Sequence, residues 1–210
     1  MTYEHEAMHA ETLLYMLLQS PTTLPPPGFA PPDFAHLATL WDAQHARDLA
    51  STSSTVTFGP MEIELGHHDL ESEDAQAWEV DAHEFGWDNE HGRATGVQVG
   101  RMRMDRKGVT NGEYRTFLEG EGMGSALPGS WIEVDGEIKV KTLYGPIPFA
   151  QAQHWPLMAS YDELAAFAKS KGGRLPTEPE LRAWLDVVPE GDRVEWEGSN
   201  VGVKNWHPVP

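Results

Sequence analysis

The chain has 210 residues, no cysteine, and a formal charge of −18 from 33 acidic against 15 basic side chains. Such a field repels nucleic acid and anionic membranes, and the missing thiols exclude a disulfide framework or a thiolate metal site. Apolar residues make up 40%, with eight Trp, enough to bury a core, and no apolar run reaches the length of a membrane span. Acids and histidines interrupt the N-terminus, so it does not read as a signal peptide; with the absent cysteines this sets the expectation of a reducing, cytoplasmic setting.

Residues 3–18 contain neither Gly nor Pro and are rich in Ala, Leu, Met and Glu, which predicts one helix. His5 and His9 lie four apart, so they share a face, one turn from each other. Two neutral imidazoles so spaced can chelate one divalent metal, with a third ligand required from elsewhere. Leu13, Met16 and Leu17 extend an apolar stripe expected to bury the C-terminal half of the helix. His5-Glu6-Ala7-Met8-His9 also fits the H-E-x-x-H pattern of zinc peptidases, with Glu6 as general base. Thr12 and Tyr15 stand where the extended three-histidine form needs Gly and His. A proline-rich stretch follows, where the glutamate form needs a helix.

Six prolines in residues 20–33 predict a stiff, extended linker. Asp33 then caps a connector helix with Phe34, Leu37, Leu40 and Trp41 on one face. Residues 56–65 alternate around Gly59-Pro60, which predicts two short strands or a hairpin. Residues 67–93 are acidic and irregular. His67, His68, His83 and His91 lack helical ligand spacing, and Phe85 to Glu90 reads as a docked loop. Residues 97–104 read as one strand.

Three helix starts follow. Thr110–Glu113, Ser160–Glu163 and Thr177–Glu180 are capping boxes, in which the hydroxyl and the carboxylate satisfy early helix amides reciprocally. The first opens a helix carrying Tyr114, Phe117 and Leu118 and ending near Gly120. The second carries Leu164, Phe167 and Ala168 as a buried stripe and ends at Gly172-Gly173. The third leads into Leu181, Trp184 and Leu185. Between them, residues 131–140 predict a hairpin around Asp135-Gly136.

The string His-Glu-Ala-Met-His-Ala-Glu-Thr-Leu-Leu-Tyr-Met-Leu of residues 5–17 resembles the metal-binding helix of the ergothioneine-biosynthetic sulfoxide synthases. A second resemblance lies further on. Val109 to Tyr114, Trp155 to Tyr161 and Gly172 to Leu181, with Gly-Gly-Arg-Leu-Pro-Thr-Glu as the most specific piece, resemble the signature series of the formylglycine-generating (sulfatase-modifying) enzymes. It covers roughly residues 54–210. Lys141 to Pro146 and Asn205 to Pro210 are most similar to fungal members of the ergothioneine branch.

The resemblance implies an α+β fold: an incomplete, C-type-lectin-like formylglycine-generating-enzyme domain at 54–210, a linker and connector helix at 20–53, and at 1–19 one helix of a DinB-like bundle. It implies an Fe(II) site in which His5 and His9 are two of three ligands, and Met8 lines the acceptor pocket. The implied partners are small molecules: hercynine, a cysteine-type thiol and O2. The third ligand and the catalytic tyrosine match no residue here, so the chain is expected to be an inactive portion of a larger enzyme. Two other readings stand beside it: a lectin-like binding or scaffold module without catalysis, and a zinc hydrolase.

Overall fold

The computed structural model describes residues 2–20, 24–25, 27–50, 54–65, 94–120, 126–187, 205 and 207–210. His67, His68, His83, His91 and the loop from Phe85 to Glu90 lie outside the described residues. Helices and short strands are mixed along the chain, and they cluster into two compact units. One comprises residues 1–11, 55–104 and 176–193, the other residues 12–54, 105–175 and 194–210.

The N-terminal helix, α1, runs from Thr2 to Gln19 as one uninterrupted element. Its apolar stripe departs from expectation. Leu13, Met16 and Leu17 are 55%, 57% and 42% exposed, whereas Leu14 and Leu18 are half-buried. At 100° per residue, Leu14 and Leu18 lie on a different side from Leu13 and Met16, so the covered edge of the helix is not the one its apolar stripe marks.

The first unit is built on a ribbon. Strands β1 (Thr55–Phe58), β2 (Met61–Leu65), β3 (Ala94–Val99) and β4 (Met102–Asp105) follow one another, yet β1 pairs with β4 and β2 with β3. The two strands expected at 56–65 are present but do not form a hairpin, and the single strand expected at 97–104 is two. The nested pairing is that of one long two-stranded ribbon, interrupted on both arms at facing positions, Gly59-Pro60 and Gly100-Arg101. Glu62 and Gln98 sit opposite each other in the β2–β3 ladder, and the Gln98 amide donates to the Glu62 carboxylate at 2.7 Å.

One face of the ribbon is apolar. Phe58, Ile63 and Val99 are buried there, and helix α6 (Glu178–Val187) covers them. Ala183 of α6 is fully buried there, and its small methyl side chain lets a helix approach strands closely. Leu181 and Leu185, on another side of α6, are 45% and 49% exposed.

The second unit centres on helix α3 (Asn111–Glu119). Its capping box is complete: the Glu113 amide donates to the Thr110 hydroxyl at 3.3 Å, and the Thr110 amide donates to the Glu113 carboxylate at 2.8 Å. Replacing Thr110 with Ala is expected to lower stability by about 1 kcal/mol, read from the urea midpoint. Ser160 and Glu163 cap helix α5 (Tyr161–Ser170) in the same way. Leu164, Phe167 and Ala168 of α5 are half-buried rather than buried, because the helix lies at the margin of the core. Phe167 still meets Tyr114 and Phe117, with ring centroids 5.9 and 5.6 Å away.

A three-stranded sheet, β5 (Trp131–Val134), β6 (Glu137–Val140) and β7 (Ile147–Pro148), closes the core with the single-turn helix α4 (Phe149–Ala152). Asp135 and Gly136 link β5 to β6 with φ of 55° and 80°, the left-handed pair that a two-residue hairpin requires. Helix α2 (Phe34–Ala50), whose His36 amide donates to Asp33 at 2.9 Å, packs on α4. Phe34 is buried while Leu37 and Trp41 pack against the core; Leu40, expected on the same face, is 41% exposed. Counting from Phe34, Leu40 falls well off the side that Leu37 and Trp41 share.

Candidate functional site

α1 carries His5 and His9 one helical turn apart, about 6 Å along the axis. His5 enters by its backbone position on the helix. His9 is exposed and Met8 half-buried. Helical periodicity sets the exposed Leu13 and Met16 on the same side of the helix as positions 5 and 9. As a donor set, two neutral imidazoles on successive turns fit two positions of a nitrogen-ligated transition-metal site. Among the described residues no three His, Asp or Glu side chains come together as a metal-binding group. The fit therefore extends to two donors.

The second unit contains a shallow cavity of about 60 Å³, lined by Leu18, Val140, Trp155, Pro156 and Met158 among others. Its polar neighbours are committed to the backbone. Ser130 donates to the Met158 carbonyl at 2.6 Å, Lys141 to that of Gly129 at 2.8 Å, and Thr142 to that of Gly145 at 2.7 Å. Trp155 Nε1 is buried without a hydrogen-bond partner. Lys141 and His207 also line the cavity, and His207 Nδ1 lies 2.9 Å from the Pro208 carbonyl oxygen.

Asn111 holds the second unit together. It is 2% exposed, its amide donates to the Ala152 carbonyl at 2.8 Å, and its carbonyl accepts from Trp131 Nε1 at 2.8 Å. Its backbone amide donates to the Trp155 carbonyl at 3.0 Å, and that of Gly112 to Gln153 at 2.8 Å. The segment 152–157 is thereby stitched along 109–112. Within a capping box the sequence marks Asn111 only as a helix-start residue; its invisible role is the pair of distant partners.

Sequence reasoning also missed a cluster between α2 and the turn after α4. His45 stacks on His154, and His154 Nε2 lies 3.3 Å from Asp42. Burial and the neighbouring His45 ring hold His154 below the usual imidazole range, against the opposing pull of Asp42 and Glu113. Asp42 and His45 are near in sequence, but nothing local announces His154.

Residues 46–204 match the family described as the sulfatase-modifying factor enzyme 1-like domain, and the chain belongs to that family. The match begins inside α2, somewhat before the expected start at residue 54. The relatives narrow the placement. The chain is 32% identical to ergothioneine biosynthesis protein 1 of Neurospora crassa over 239 aligned positions, which cover 98% of the chain and 26% of that protein. It is 33% identical to ergothioneine biosynthesis protein 1 of Schizosaccharomyces pombe over 223 positions, 99% of the chain and 28% of that protein. The chain thus spans about a quarter of the length of the curated relatives it matches. No helix among the described residues is long and apolar enough to cross a membrane.

Proposed function

We propose that the chain is a portion of an iron(II)-dependent, oxygen-using sulfoxide synthase of ergothioneine biosynthesis, joining a cysteine-type thiol to hercynine. The observation that carries this reading is the His5–His9 pair one turn apart on α1, in a chain similar over nearly its whole length to proteins named for ergothioneine biosynthesis. On this reading α1 (residues 1–19) is a metal-binding helix from a DinB-like bundle, residues 20–53 are linker and connector helix, and 54–210 form the formylglycine-generating-enzyme-like domain in part. The exposed stripe of Leu13, Met16 and Leu17 is consistent with a helix meant to be covered by others of a bundle.

His5 and His9 would each offer a neutral imidazole nitrogen to iron, with the other ring nitrogen held by an acceptor. Bound iron(II) would supply open positions where a thiolate and O2 meet beside the acceptor ring. Met8, between the two ligands and half-buried, would present an apolar wall to that ring. With two donors, the 210-residue chain is expected to bind iron weakly and to show no turnover of hercynine, thiol and O2.

The test is an anaerobic Fe(II) titration, followed by isothermal calorimetry, of the chain and its His5→Ala and His9→Ala variants. Each variant should weaken binding at least as much as the roughly 10–100-fold that loss of a merely orienting partner costs. Unchanged affinity in both variants would remove the reading's chemical basis. Tight zinc binding with hydrolysis of peptides would support the H-E-x-x-H alternative instead.

A further inference from the structure

α2 and the turn after α4 meet through two imidazoles. The rings of His45 and His154 are stacked, centroids 4.0 Å apart and planes 17° from parallel. Asp42, one turn before His45, lies 3.3 Å from His154 Nε2; the His154 side chain is 19% exposed. The lone pairs of stacked imidazoles lie in two nearly parallel planes and do not converge on one ion, so this arrangement is not that of a metal chelate. Two charged rings at that distance would repel each other, so the stack is weakened when both imidazoles carry a proton.

We propose that the His45–His154 stack is a pH-sensitive clasp: it holds the second half of α2 against the turn after α4 while at most one ring is protonated, and releases it when both are. The charged and titratable groups acting on His154 are Asp42 and His45 from α2 and Glu113 from α3; α4 itself, Phe149–Ala152, carries none. A single proton on His154 is stabilised by the Asp42 carboxylate. A second proton sets two cations at stacking distance in a half-buried place, with one carboxylate in contact.

The sign follows from linkage. Burial and the His45 ring depress the proton affinity of His154 in the docked state, so the released state binds more protons. Docking is therefore fully favourable above the ordinary imidazole range and is lost as pH falls through it towards the depressed value. Release stays local, because Phe34, Leu37 and Trp41 keep the first half of α2 in the core. Beyond His45 the end of α2 is tied by the surface pair of Lys107 with Asp48, a kind of contact that holds weakly, and the chain just past the helix by the Arg106 amide, which donates to the Ser54 carbonyl at 2.9 Å.

Amide hydrogen exchange on the full chain between pH 7.5 and 5.5, corrected for intrinsic chemical rates, reads the clasp directly. Protection of residues 43–50 should fall on acidification by up to about tenfold per pH unit, the limit for one proton taken up, while α3 keeps its protection. His45→Gln and His154→Gln should each flatten that dependence. Asp42→Asn, at an exposed position, should move the loss to higher pH, since the docked state then takes up a proton on His154 still less readily. A parallel fall in α3, a dependence that survives both histidine variants, or a shift to lower pH in Asp42→Asn would each overturn the proposal.

Discussion

Asn111→Asp is expected to destabilise the protein more than Asn111→Ala, although aspartate is the nearer match in shape. In the alanine variant Trp131 Nε1 loses its acceptor in a site that water does not reach. The Ala152 carbonyl keeps the Trp155 amide, so one buried group is orphaned, and the loss should be about 2–4 kcal/mol. Aspartate preserves the acceptor for Trp131 but turns a carboxylate oxygen towards the Ala152 carbonyl. It must then bury a charge without a cation or take up a proton, at a cost above about 3 kcal/mol. Urea unfolding followed by far-UV circular dichroism orders the two variants. Equal losses, or a milder aspartate, would show that the Ala152 contact does not carry the stitch between α3 and the segment after α4.

Gly59→Ala should cost at least about 3 kcal/mol, and the reason lies across the ribbon. Gly59 has a φ of +72°, and a Cβ there would overlap the Gly100 carbonyl oxygen and lie 3.0 Å from its carbon. The obstacle is backbone, which has no rotamer to yield. Gly136 supplies the comparison. Its φ is +80°, but a Cβ there meets nothing within 4 Å, so Gly136→Ala should cost only the conformational term, about 1–2 kcal/mol. The difference between the two thermal midpoints measures how tightly the two arms of the ribbon approach at their shared interruption.

The features legible in the sequence are those whose cause is local. The capping boxes at Thr110 and Ser160 announce themselves because hydroxyl, amide and carboxylate lie within four residues. The Asp135-Gly136 turn does so because only certain residues tolerate a left-handed backbone. The helical register of His5 and His9 is local too. Strand partnership is not: alternation identifies β1 and β2 as strands but says nothing of whether they pair with each other, and the ribbon assigns each a partner from residues 94–105. Nor does alternation see the break at Gly100, which splits an apparently continuous strand. The stripe on α1 misleads for a related reason, since periodicity marks an apolar side but not what lies against it. Asn111 and the Asp42–His45–His154 group depend on contacts between segments far apart in the chain, where single-sequence pattern carries no signal. Of the candidate site, the sequence carries only the register of His5 and His9 on one helix; any further donor would belong to that same non-local category.

The register of β2 and β3 brings Leu65 and Ala94 face to face as paired residues. The chain therefore leaves β2 and enters β3 on the same rung of the ladder. Ends fixed on one rung make the pairing of the strands insensitive to the length of chain between them, since doubling a flexible connection in general adds only about 0.6 kcal/mol of closure entropy. That makes this the natural doorway for evolutionary tinkering: relatives can gain or lose sequence here, and a peptide tag grafted at the same point should leave the scaffold standing.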